Sequence, residues 1–247
     1  VEYGGGGSWN PNWPNAGILL RRGSSLGLHN VVVREHARAG LMVRNAIDSV
    51  EVTNTRFEAN ALPAWVHANA VGGLTPGGSS NAFATNDESA VKVCVGGQNK
   101  VTSDQQWDDP GVPYHVDNTV NLEAPVTVSN GATLKFAQGK GLNVRETGRL
   151  TSKGSAEAPV TFTGMETRRG AWKGIRFRNT PSTDNRLEHT IVEAAGDSAW
   201  NPNFSPAGVF VHGGNVALAI SNVTIRDNAS MGLTATKRSA QLGIEQS

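Results

Sequence analysis

The sequence predicts an all-β chain wound as a parallel β-helix (a solenoid) with roughly 24-residue coils and one long irregular excursion. Three observations predict it. A Leu/Val–Asn–Val/Phe pattern recurs at fixed register. Its runs alternate in polarity over three to five residues, too short for helices and right for strands. The chain is rich in Val, Gly and Asn, the residues of strands and tight turns, and has no long run of helix formers.

The pattern opens at Leu28-x-Asn30-x-x-Val33-x-x-His36, followed by Gly40-Leu41. It returns 24 residues on as Val52-x-Asn54-x-x-Phe57-x-x-Asn60 before Ala64-Trp65, and again as Ile220-x-Asn222-x-x-Ile225-x-x-Asn228 before Gly232-Leu233. Leu187-x-His189-x-x-Val192 is a degenerate copy. Strands stacked coil on coil lie about 4.8 Å apart. Leu28, Val33, Val52, Phe57, Ile220 and Ile225 then form inward apolar columns. Asn30, Asn54 and Asn222 are candidates for a structural ladder in which each side-chain amide bonds its neighbours, with His189 breaking the series. The alternative is that each Asn is simply a turn residue. His36 and His189 read as substitutes for ladder Asn residues.

A longer repeat contains the short one. Val1 to Gly17 matches Val192 to Gly208 with nine identities in 17 positions, including Trp9-Asn10-Pro11-Asn12 and Trp200-Asn201-Pro202-Asn203. Leu26 to Leu41 matches Leu218 to Leu233 with seven identities in 16. Residues 1–97 therefore read as the C-terminal part of one unit, and 98–247 as the N-terminal and middle part of a second, homologous unit. The first residue is Val, so a processed form or an excised fragment is expected. Between the units, Gly72 to Ser80 reads as a flexible excursion and 98–112 as a link. Val91, Val93 and Val95 share one strand face, with the lone Cys94 on the other; its expected role is structural.

The second unit carries a more specific succession: Pro113-Tyr114-His115-Val116, Val126-Thr127-Val128, Gly131-Ala132-Thr133-Leu134-Lys135-Phe136, Pro159-Val160-Thr161-Phe162-Thr163-Gly164, Trp172-Lys173-Gly174-Ile175-Arg176-Phe177 and Glu188-His189. This succession resembles the secreted right-handed parallel β-helix proteins of the pectin-lyase-like superfamily. It is most similar to the uncharacterised bacterial surface kind whose repeats open with a PY-x-V strand. The resemblance implies a right-handed helix and a secreted or cell-surface protein. It also raises the activities of that superfamily, lyases and hydrolases of acidic polysaccharides.

Their signatures are absent or partial. No W-x-D-H segment occurs, as in calcium-dependent pectate lyases. Of the polygalacturonase elements only Asp108-Asp109 matches, in a Pro-flanked turn, and His212-Gly213-Gly214 lacks the first Gly of G-H-G. Glu188, Glu193, Asp197 and Asp227 make no spaced pair of the kind a glycosidase needs. Catalytic residues are therefore unassigned.

Two features point to a ligand. Aligning strands on Gly141, Gly174, Gly208 and Gly232 puts Asn143, Arg176, Phe210 and Thr234 two residues on, and Arg145, Arg178, His212 and Thr236 four residues on. If those coils are consecutive, Arg145, Arg178 and His212 stack into an outward basic column beside Arg176. Lyases of the resembled superfamily bind acidic sugar on such a face, and an Arg or Lys removes the proton alpha to the uronate. The second feature is the pair of aromatic turns carrying Trp9 and Trp13, and Trp200 and Phe204. Proline stiffens both, and aromatic rings suit stacking on sugars. The rival reading is that each Trp folds back over its own rung.

Composition excludes other classes. Charged residues are 17% and the formal net charge is +1, so no polyelectrolyte partner is held by bulk charge and no nucleic acid is expected. No apolar run approaches the ~20 residues of a membrane span, so no membrane insertion is expected. The six His lack ligand spacing, and neither a metal nor a cofactor is expected. The expected function is a secreted or cell-surface module that binds glycans or acts in adhesion without catalysis. The alternatives are a polysaccharide-active enzyme (a uronate lyase or glycoside hydrolase) and a structural spacer. Open strand ends would favour end-to-end or edge-mediated self-association.

Overall fold

The computed structural model describes residues 15–21, 23–44, 49–78, 80–93, 99–236 and 241–245. They form parallel sheets stacked as a β-solenoid of about 9 turns, with coil spacing near 24 residues. The chain divides into two compact units: residues 1–98 with Asp108–Tyr114, and Asn99–Trp107 with residues 115–247. The expected link is not a plain tether. Lys100–Val101 and Gln105–Trp107 are strands of the second unit, and Trp107 is fully buried.

In the first unit each coil contributes up to three strands. Ser25–His29 pairs with Ser49–Thr53, and Val32–Arg34 with Arg56–Glu58 and then Ala82–Thr85. Ala16–Leu20, Ala39–Val43, Leu62–Val66 and Val91–Val93 form the third stack. Alternation turns Val33, Phe57, Leu41, Ala64 and Val91 inward, all fully buried. The Phe57 and Phe83 rings stack at 5.1 Å, one coil on the next.

The corners are where the Asn residues act. Asn30 and Asn54 hold φ of 57° and 47°, the left-handed region that Asn tolerates, and the Asn54 amide donates to the Asn30 side-chain oxygen. These residues are exposed, so they are turn residues and ladder residues at once. A second, buried ladder runs through the next corner. Asn60 Oδ1 accepts from the His36 backbone N–H at 3.2 Å, and Asn60 Nδ2 donates to Val33 O at 3.0 Å and Asn86 Oδ1 at 2.9 Å.

Part of the expected excursion is packed structure. Ala68–Leu74 is a 3₁₀ helix with Val71 and Leu74 fully buried, and it sits against the strand Ser49–Thr53. Gly73 permits that approach: a Cβ there would lie 2.0 Å from Val50 O. His67 caps the helix, its Nδ1 accepting from Asn69 N at 3.1 Å, and burial lowers the pKa of its ring. Cys94 lies outside the described residues.

In the second unit a six-stranded parallel sheet runs in the order Lys100–Val101, Val120–Leu122, Gly141–Arg145, Gly174–Arg178, Ala207–His212, Met231–Thr236. Spacing along it varies: Asn121 meets Asn143 22 residues on, Asn143 meets Arg176 after 33, and His212 meets Thr236 after 24. The extra residues leave the coil as surface loops, so register survives. The long strands Arg186–Glu193 and Ala217–Arg226 bend at His189 (φ 42°) and Asn222 (φ 52°), whose side chains meet at 3.3 Å. Inside, Trp172 stacks on Phe136 at 4.5 Å, and its indole N–H donates to Glu193 O at 2.7 Å, which satisfies the buried donor.

Candidate functional site

The outer face of the six-stranded sheet brings the predicted residues of the second unit together. Register pairs Gly141 with Gly174, Asn143 with Arg176, and Arg145 with Arg178. It pairs Arg176 with Phe210 and Arg178 with His212, then Phe210 with Thr234 and His212 with Thr236. Asn143, Arg176 and Phe210 thus form one column and Arg145, Arg178 and His212 the next, two residues further along each strand.

Residues 197–206 form a strap over this face. Asp197 anchors it, its N–H donating to Trp172 O at 2.9 Å and its Oδ1 accepting from Gln138 Nε2 at 3.2 Å. Asn201 tightens the turn by accepting from Asn203 N and Phe204 N, both at 3.0 Å. Trp200 then lies on the glycine column, where a Cβ on Gly141 would come within 2.7 Å of the indole. Arg176 Cζ stands 4.7 Å and Lys173 Nζ 5.0 Å from the indole centroid, close enough for cation–π attraction. Phe204 rests against Phe210 and His212, each at 5.6 Å between centroids. Phe210 points outward yet is only 2% exposed, because the strap covers it. Trp200 and Phe204 therefore both fold back over the sheet and remain partly exposed at its edge.

Arg176 is locked. Its Nε donates to Asn143 Oδ1 at 2.8 Å, Asn143 Nδ2 donates to Asn121 Oδ1 at 2.7 Å, and Arg176 Nη1 donates to Trp200 O at 3.3 Å. Burial, then the neighbouring charges of Arg178 and Arg145, pushes its pKa down to about 10. Arg145 lies 3.4 Å from Glu146 and 3.9 Å from Glu123, so its charge is partly offset. Arg178 has no ion pair among the described residues. His212 Nδ1 meets Thr236 Oγ1 at 2.9 Å. The result is an aromatic ledge beside Arg145 and Arg178 on neighbouring strands, with Arg176 against the Trp200 ring.

Three of the four carboxylates weighed from the sequence have other partners. Glu193 pairs with Arg226 at 2.8 Å, Asp227 lies 3.9 Å from Arg169, and Asp197 holds the strap. Trp9 and Trp13 lie outside the described residues. Sequence reasoning missed Asn121 and Lys173. The run Val120-Asn121-Leu122 repeats Leu142-Asn143-Val144 and could have revealed the first; the second is set by the strap alone. No protein-family model, curated protein or solved structure matches the chain.

Proposed function

We propose that the second unit is a non-catalytic carbohydrate-binding module, and that the outer face of its six-stranded sheet takes an acidic polysaccharide in an extracellular, adhesive role. The observation that carries this reading is the convergence of Trp200, Phe204, Arg145 and Arg178 on one rigid sheet face. An aromatic ring offers its face to sugar C–H groups, and a guanidinium offers paired donors to a carboxylate. Arg178, without an anionic partner among the described residues, is the first contact for a uronate carboxylate, and Arg145 supplies the second one strand away. Arg176 acts as a positioning residue that holds Trp200 through its carbonyl and ring. The resemblance to the pectin-lyase-like superfamily supports the extracellular placement and the choice of acidic glycans.

The test is binding of polygalacturonate and of neutral cello-oligosaccharides to the full chain. Arg145→Glu with Arg178→Glu should weaken binding of the acidic polymer by about 100-fold, two charge-assisted contacts being lost. Unchanged binding in a folded double variant refutes the reading. A second reading, uronate β-elimination with Arg176 as base, requires growth of unsaturated-uronate absorbance, abolished by Arg176→Gln.

A further inference from the structure

The first unit carries a cleft of about 190 Å³ that none of the sequence motifs marks. Its floor is the outward column Met42, Trp65 and Lys92, set by the register of three successive strands. The intervening positions Leu41, Ala64 and Val91 face the core and are fully buried. The concavity has a simple origin: Ala37, Ala39 and Ala61 place methyl groups where longer side chains would fill the space in front of the indole.

The rim is built on the buried amide ladder. Arg38 follows the His36 corner, Ala61 the Asn60 corner, and Glu88 the Asn86 corner. Backbone bonds tie them coil to coil: Leu62 N to Arg38 O at 3.0 Å, Asp87 N to Asn60 O at 2.9 Å, and Glu88 N to Ala61 O at 3.0 Å. Such a rim is fixed before any ligand arrives.

Its chemistry is specific. Lys92 Nζ and Glu88 Oε2 pair at 2.8 Å, and Arg38 is exposed without a carboxylate partner among the described residues. Two cations against one anion leave room for one carboxylate. Trp65 offers an aromatic wall, and its indole N–H is a shielded donor with no acceptor among the described residues. A wholly apolar occupant would bury Arg38 without compensation. The volume falls below the ~300–1,000 Å³ of sites for drug-sized ligands, so the cleft suits one ring rather than a chain segment.

We infer that this cleft is a binding site for a single hexuronate residue, separate from the face proposed in the second unit. The sugar stacks its C–H face on Trp65. Its carboxylate takes the Arg38 guanidinium, and its hydroxyls bond the Lys92–Glu88 pair.

The experiment is calorimetric titration of the full chain with D-glucuronate and D-galacturonate, with D-glucose as neutral comparator. A saturable millimolar interaction with a uronate is expected, and about tenfold weaker binding of glucose. Arg38→Gln, an exposed change that spares the fold, should weaken uronate binding about tenfold. Trp65→Ala should abolish the uronate binding that persists in the chain carrying Arg145→Glu with Arg178→Glu, in which the second-unit face is disabled. No heat with either uronate, equal affinity for glucose, or wild-type binding by folded Arg38→Gln overturns the inference. Polymer binding that survives Arg145→Glu with Arg178→Glu sinks the other reading and leaves this one standing, so the two fail separately.

Discussion

A side-chain amide can be worth very different amounts depending on which corner of a coil it occupies. Asn54 is exposed and serves mainly to relieve a left-handed backbone. Glycine serves that backbone equally well, so Asn54→Gly should cost less than about 1 kcal/mol. Asn60 is fully buried and completes the His36 N–H, the Val33 carbonyl and the Asn86 amide. Asn60→Ala strands the His36 N–H and the Val33 carbonyl in the interior and should cost about 2–4 kcal/mol. Urea denaturation of both variants separates the two roles. A similar asymmetry holds among the arginines: Arg176 is bonded on two sides and shapes the face, whereas Arg178 is free of ion pairs among the described residues and is the contact proposed for a ligand.

Among the elements, the strap and the 3₁₀ helix each depend on one tight contact. Gly141→Ala would drive a methyl group into Gly174 O at 2.4 Å and into the Trp200 ring. The expected outcome is a loss of about 1–3 kcal/mol and a displaced strap, read as increased acrylamide quenching of Trp200 fluorescence. The cap of the 3₁₀ helix is sensitive to pH. His67 accepts a backbone hydrogen bond at Nδ1, and burial lowers its pKa below 6.5, so the native state favours the neutral ring. The unfolded chain then binds the extra proton. Stability is fully present above about pH 6.5 and falls as pH drops toward the native-state value. The thermal midpoint should decline from pH 7 to pH 5, and His67→Asn, which keeps the acceptor without the titration, should flatten that part of the decline.

Across the whole chain, the fold tolerates length where residues leave the coil and punishes it where strands pair. Spacing of 22, 33 and 24 residues occurs within one sheet without loss of register. Three Gly-Ser residues inserted between Glu166 and Thr167, in a fully exposed loop, should cost under about 1 kcal/mol by circular dichroism melting. One residue inserted within Gly174–Arg178 reverses which side chains face the core and should unfold the second unit.

Much of this was written in the repeat. Fixed spacing demands that like residues stack, so the apolar columns and the Asn30–Asn54 contact follow from the 24-residue repeat. The column of Arg145, Arg178 and His212, spaced 33 and 34 residues apart, was reached through shared leading glycines and required the structure to make those coils consecutive. The buried ladder was half visible: His36 and Asn60 occupy matching places in the pattern, but Asn86 follows an irregular stretch and has no periodic signal. The packing of Ala68–Leu74 was hidden because its glycines read as flexibility, when Gly73 is needed for close approach to Val50.

The repeat alone imposes that successive coils lie in register, because a period is a one-dimensional property that stacking converts directly into contact. What covers each face is set in three dimensions. The strap over Arg176 and Phe210 arises where a loop folds back onto the sheet, and the cleft before Trp65 where small side chains on successive coils leave space. Such contacts have no period, and their geometry depends on shape and close packing that no local pattern records.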